Sequence, residues 1–138
     1  MSRISASVRE QVRQRAQGQC EYCRKPEAFS AHSFQVDHII SQKHKGSDEF
    51  DNLAWACFRC NVNKGTDIAS VDAETGNLIF LFNPRLHVWQ QHFAMNLQTG
   101  EFIGISPEGR IAVEILDMNH LDQIEARKIL IDAGIWDS

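Results

Sequence analysis

Two pairs of cysteines constrain this chain more than any other feature of its sequence. Cys20-Glu-Tyr-Cys23 and Cys57-Phe-Arg-Cys60 each set two thiols three positions apart, and thirty-three residues separate the pairs. Each CxxC knuckle lets two thiolates converge on one ion, and two knuckles complete the four-coordinate tetrahedron that structural zinc prefers. A redox CxxC or four independent core cysteines is the plainer alternative. Two pairs at matched spacing favour the metal, because thiols in a reducing compartment are not consumed by disulfides. The spacer is longer than a compact zinc ribbon needs, so folded structure is expected between the knuckles.

With 138 residues the chain is expected to form a single domain, organised as a basic helix over 1–19, a metal-bearing core over 20–65 and an extension over 66–138. Hydrophobic residues make up 43% and charged residues 23%, which argues against disorder. The longest apolar run, Leu78 to Phe82, falls far short of the ~20 residues of a membrane helix. The opening MSRISASVRE lacks the apolar stretch of a signal peptide. These features point to a soluble, cytoplasmic protein with no membrane partner.

The net charge of −4 conceals an asymmetry. Residues 1–25 sum to +4 through Arg3, Arg9, Arg13, Arg15, Arg24 and Lys25, residues 26–65 to −1, and residues 66–138 to −7. A basic front on an acidic body suits a chain that meets a polyanion at one end, although a merely solvated helix fits the charge equally well.

Local patterns predict an α+β fold with small sheets. Ser7-Val8-Arg9-Glu10 has the form of a capping box and Gly18 that of a stop, giving a helix near residues 8–17. Phe34 to Ile40 reads as a strand, Gln42 to Asp51 as a loop, and Leu53 to Ala56 as a return strand entering the second knuckle. A short helix follows from about Arg59 to Gly65. Ala73-Glu74-Thr75-Gly76 and Gln98-Thr99-Gly100 look like hairpin turns. Ser106-Pro107 opens a helix toward Asp117, and a last helix runs from about Leu121 to Ala133 before Gly134.

The residues with chemistry lie between and just after the knuckles. Asp37 and Asn61 offer hard oxygen ligands of the kind magnesium accepts while keeping several waters. His38 offers an imidazole, a side chain that can take a proton from water. One carboxylate, one amide and one imidazole suffice for single-metal phosphodiester hydrolysis. His32, His44, His87, His92 and His120 are expected to carry no chemistry, and Trp55, Trp89 and Trp136 to belong to the core.

VDHII, NLAWAC and CNVNKG, framed by CEYC and CFRC, resemble the signature of the HNH endonucleases, or ββα-metal nucleases, over residues 20–65. Phe82-Asn83-Pro84-Arg85, Trp89 and His92-Phe93 resemble the C-terminal part of small stand-alone bacterial proteins of this family, many of them cyanobacterial. The resemblance implies a ββα-metal core tied by zinc, followed by an extension of β-hairpins and two helices. It implies His38 as general base, Asp37 and Asn61 as ligands of a catalytic magnesium or other divalent cation, and Asn52, the middle asparagine, as the residue that holds the loop and helps orient the histidine. Asn61 stands at the third signature position, so this is an H-N-N version. Lys64 matches a position often basic in the family and is expected to contact phosphate, and Arg9, Arg13 and Arg15 are expected to add nucleic-acid contacts. The implied activity is metal-dependent cleavage of DNA, with no small-molecule cofactor. A non-catalytic zinc module that binds nucleic acid, or a protein-interaction domain, are the alternatives; neither needs Asp37, His38 and Asn61 together.

Overall fold

The structure, a computed structural model, describes residues 4–136. Arg3, part of the basic front, lies outside the described residues. Among the described residues, four α-helices and three antiparallel strand pairs form an α+β fold, as the sequence patterns predict. The chain groups into two compact units, the first comprising residues up to Ile68 with Asn83–Arg85, the second Ala69–Phe82 and the residues from Leu86 on.

The first unit opens with α1, Ala6–Arg15. The expected capping box at Ser7 is not the cap. The Val8 N–H donates to Ser5 Oγ at 3.1 Å, so the helix starts earlier, and the Ser7 hydroxyl instead accepts from Gln11 within the first turns. At the far end the Gly18 N–H returns to the Arg13 carbonyl and the Gln17 N–H to that of Gln14. Gln17 and Gly18 both adopt positive φ, the paired closure that ends a helix where the sequence places its stop.

Strands β1, Gln35–His38, and β2, Leu53–Ala56, pair antiparallel with His38 opposite Leu53 and Gln35 opposite Ala56. All four β2 residues are buried, so this strand shows no polar alternation. Val12 of α1 is wholly buried, and the Arg9 guanidinium lies 4.7 Å from the Trp55 ring centroid. Helix α2, Phe58–Lys64, begins at Cys57, whose sulfur accepts the Cys60 N–H, so the second knuckle doubles as a helix N-terminus. Arg85 returns to this unit by pairing with Glu21, whose other oxygen accepts the Trp55 backbone N–H at 3.0 Å.

In the second unit, β3 (Ala69–Val71) pairs with β4 (Leu78–Phe80), and β5 (Phe93–Met95) with β6 (Phe102–Gly104). Strand β5 ends at Met95 because the Asn96 side chain accepts the Gln98 and Thr99 amides and turns the chain. Helix α3, Pro107–Ile115, starts at Ser106, whose hydroxyl accepts the Gly109 N–H at 3.0 Å. Gly109 sits against backbone: a Cβ there would fall 1.9 Å from the His92 carbonyl oxygen. Helix α4, Leu121–Asp132, is capped by His120, which gives that histidine a structural role. Phe82, Trp89, Phe93, Phe102 and Trp136 form the aromatic core, with the buried Arg127 guanidinium 3.8 Å from the Phe102 ring centroid. No helix among the described residues is long and apolar enough to cross a membrane.

Candidate active site

The four cysteines are buried together, and their sulfurs all lie within 4.8 Å of one another. Cys23 Sγ and Cys57 Sγ are 3.7 Å apart, close to the ~3.8 Å edge of a tetrahedron with ~2.3 Å zinc–sulfur bonds. The Cys23 N–H points at Cys20 Sγ and the Cys60 N–H at Cys57 Sγ, an arrangement that stabilises negative sulfur at each knuckle. Hydrogen bonds from the Cys20 and Cys23 thiols pull the Cys57 thiol far down, while burial pushes that of Cys20 up. The donor set and its spacing fit a structural zinc. It is the sole cluster of three or more His, Cys, Asp or Glu ligands among the described residues.

Adjacent residues of a strand point to opposite faces, and Asp37 and His38 follow that rule. Asp37 faces inward. Its Oδ2 accepts the Tyr22 hydroxyl at 2.6 Å, and the Lys64 ammonium lies 3.2 Å from the same oxygen. Burial raises the Asp37 carboxyl above its ordinary range; Lys64 first, then Tyr22, counter that rise. Burial also pushes the Tyr22 phenol well up, followed by the charge of Asp37, which keeps its hydroxyl a donor. Lys64 donates in addition to the His38 carbonyl at 3.0 Å, so α2 is tied to both residues at the end of β1. Asn61, half-buried, precedes Lys64 by three positions and therefore shares its helix face.

The expected exposure of Lys64 to phosphate is corrected by this geometry. Its side chain is 2% exposed, and its charge is engaged by the buried Asp37. The α1 arginines are likewise engaged within the unit. Arg9 donates to the Phe34 carbonyl, Arg15 to those of Phe50 and Leu53 while stacking on the Phe50 ring, and Arg13 forks between Glu10 and Glu27. Arg9 and Arg15 thus tie the helix to β2 and its flanks, while Arg13 stays at the surface, 47% exposed.

His38 faces outward, 20% exposed, with Nε2 2.7 Å from Asp48 Oδ1. Asp48 lies in the loop between β1 and β2, which Asn52 closes. The Asn52 carboxamide accepts from the Ile40 N–H at 2.9 Å and donates to the carbonyls of Ile40 and Ser47 at 2.9 and 2.8 Å. Sequence reasoning passed over Tyr22 and Asp48. Tyr22 falls at a position the CxxC pattern leaves open, and Asp48 is one acid among Asp48, Glu49 and Asp51 in a polar loop, with nothing local to distinguish it.

Comparison with known proteins agrees with the position of this unit. Residues 20–67 match the model of the family described as HNH endonuclease. A stretch of 53 residues, 38% of the chain, is 42% identical to the CRISPR-associated endonuclease Cas9 of Corynebacterium diphtheriae and covers 5% of that protein's length. No solved structure matches the chain. An HNH domain is thus present over residues 20–67, and the family match stops just short of the second unit.

Proposed function

We propose that the domain is a metal-dependent endonuclease that hydrolyses phosphodiester bonds in DNA. One observation carries this reading. Lys64 bonds to Asp37 and to the His38 carbonyl, which keeps the Asn61-bearing face of α2 against the strand end that carries carboxylate and imidazole. A structural zinc module alone has no need of that conjunction.

In the mechanism, the partly exposed His38 imidazole takes the proton from the attacking water, as a positioned base does when it lies within hydrogen-bond reach. The resemblance gives Asp37 and Asn61 to a hard divalent cation such as magnesium, but Asp37 is 4% exposed and both its oxygens are engaged by Tyr22 and Lys64, so the arrangement here does not fit a hydrated ion and no step is routed through one. Tyr22 and Lys64 orient Asp37, and Asn52 holds the loop beside His38. Contact with the phosphate backbone is assigned to the exposed Lys43 and Lys45, in the loop that follows β1.

The test is plasmid incubated with the purified, zinc-containing chain, with and without magnesium, beside His38→Ala. Cleavage that requires magnesium and drops ~10²–10⁴-fold in His38→Ala, with fold and zinc content retained, supports the reading. Equal cleavage by both proteins refutes His38 as the base. Absence of cleavage on plasmid, linear and single-stranded substrates with magnesium or manganese favours the non-catalytic nucleic-acid-binding module.

A further inference from the structure

We infer that Asp48 is the positioning residue of His38, fixing the ring with its proton on Nε2 so that Nδ1 is the nitrogen left to accept a proton from water. The kinetic part of this inference rests on the nuclease reading above; the structural part does not.

An ionised carboxylate only accepts hydrogen bonds, so the 2.7 Å contact between His38 Nε2 and Asp48 Oδ1 requires the imidazole to donate there. Neutral imidazole carries one proton, and with that proton on Nε2 the lone pair lies on Nδ1. A carboxylate bonded to one ring nitrogen also restrains rotation of the ring, which fixes where the other nitrogen points.

Asp48 is 47% exposed, and a carboxylate on a loose surface loop would order nothing. This loop is tied on both sides of Asp48. Before it, Ser47 gives its carbonyl to the Asn52 carboxamide at 2.8 Å, and the Gly46 N–H returns to the Ser41 carbonyl at 2.9 Å. Gly46 runs so close to β1's continuation that a Cβ would fall 1.6 Å from the Ile40 carbonyl oxygen, so no residue with a side chain fits there. After it, the Glu49 N–H donates to Ser47 Oγ, and the Glu49 carbonyl accepts the Asn52 N–H at 2.8 Å. Asn52 is therefore linked to His38 through Ser47 and Asp48, which gives the family's middle asparagine a route to the imidazole that runs through a residue outside the H-N-N signature. The same partial exposure sets the size of the effect. Water screens this carboxylate, so its loss costs less than the ~10⁴-fold of a buried orienting aspartate and falls in the roughly 10–100-fold range of outer partners.

The experiment uses the full, zinc-containing chain as wild type, Asp48→Ala and Asp48→Glu. Ring 15N spectra are recorded well above the ordinary imidazole pKa, with the His38 signal identified by its loss in His38→Ala. Plasmid cleavage with magnesium is measured in parallel. The expected result is a single Nε2–H tautomer for wild-type His38, a mixture of tautomers in Asp48→Ala with a 10–100-fold lower kcat at unchanged KM, and recovery of both properties toward wild type in Asp48→Glu. Zinc content and circular dichroism should be the same in all three. A wild-type ring protonated on Nδ1, or an Asp48→Ala protein with unchanged tautomer and rate, overturns the inference. If no variant cleaves while the tautomer still follows the residue at 48, the positioning contact stands and the nuclease reading falls.

Discussion

The Lys64 ammonium lies 3.2 Å from the Asp37 carboxylate with both side chains inside the protein, 2% and 4% exposed. A charge at that depth is tolerated only when it is paired and its remaining positions are satisfied. Here the Tyr22 hydroxyl and the His38 carbonyl complete the set, and the first CxxC, β1 and α2 meet at one carboxylate. Removing the cation leaves Asp37 buried and uncompensated. Lys64→Met is expected to destabilise the first unit by about 3–5 kcal/mol, read from denaturant midpoints. A loss below ~1 kcal/mol would show that the pair is not buried in solution.

Zinc should be bound at one ion per chain by Cys20, Cys23, Cys57 and Cys60. Cys57 holds a second position as the N-terminal cap of α2, so Cys57→Ser removes a metal ligand at the start of the helix that carries Asn61 and Lys64. Zinc binding in small domains doubles as folding energy, on the order of 10 kcal/mol. The variant is expected to lose its metal by elemental analysis and its cooperative unfolding transition. Folded, active protein without zinc would contradict the assignment.

Nucleic-acid affinity should depend on salt through the loop lysines rather than through α1. Each phosphate contact adds about 0.9 to the slope of log affinity against log salt on duplex DNA. Lys43→Ala and Lys45→Ala are each expected to lower that slope by about 1, and Arg15→Ala, whose guanidinium is engaged by the Phe50 and Leu53 carbonyls, to leave it unchanged. The reverse pattern would return the phosphate contacts to the N-terminal helix.

The second unit carries its own acid sensitivity. Asp72 is buried and its two oxygens accept from Arg110 at 3.0 and 2.9 Å; this pairing holds its carboxyl well below the ordinary carboxylate range. Because the folded-state value is depressed, the stabilisation is present above the unfolded pKa of ~3.9 and is lost as pH falls below it toward the folded value. Asp72→Asn should therefore be less stable than wild type at neutral pH, and the gap between the two should narrow as pH drops through this window. Denaturant midpoints at pH 7 and pH 3 measure the gap, and a gap that stays constant would exclude Asp72 as its source.

The sequence by itself determined the cysteine cluster and the β1–loop–β2–α2 order, and its resemblance to a family singled out Asp37, His38, Asn52 and Asn61 as candidates. The first two are set locally along the chain: CxxC brings two sulfurs together within one turn, a run of β-branched and aromatic residues makes a strand, and glycine ends a helix. Helix caps were legible to within a turn, since Ser5 and Ser7 both suit an N-cap and only the Val8 hydrogen bond selects between them. What tertiary structure decided is the partner of each charged side chain. Arg9, Arg13, Arg15 and Lys64 look alike in sequence as cations open to phosphate, yet packing directs them to backbone carbonyls, aromatic rings and carboxylates up to 38 residues away. Asp48 becomes His38's partner because Asn52 folds the loop back on β1, a contact across ten residues that no local pattern encodes. A charge's role depends on what lies within about 4 Å of it in space, and that distance is set by chain closure, not by spacing in the sequence.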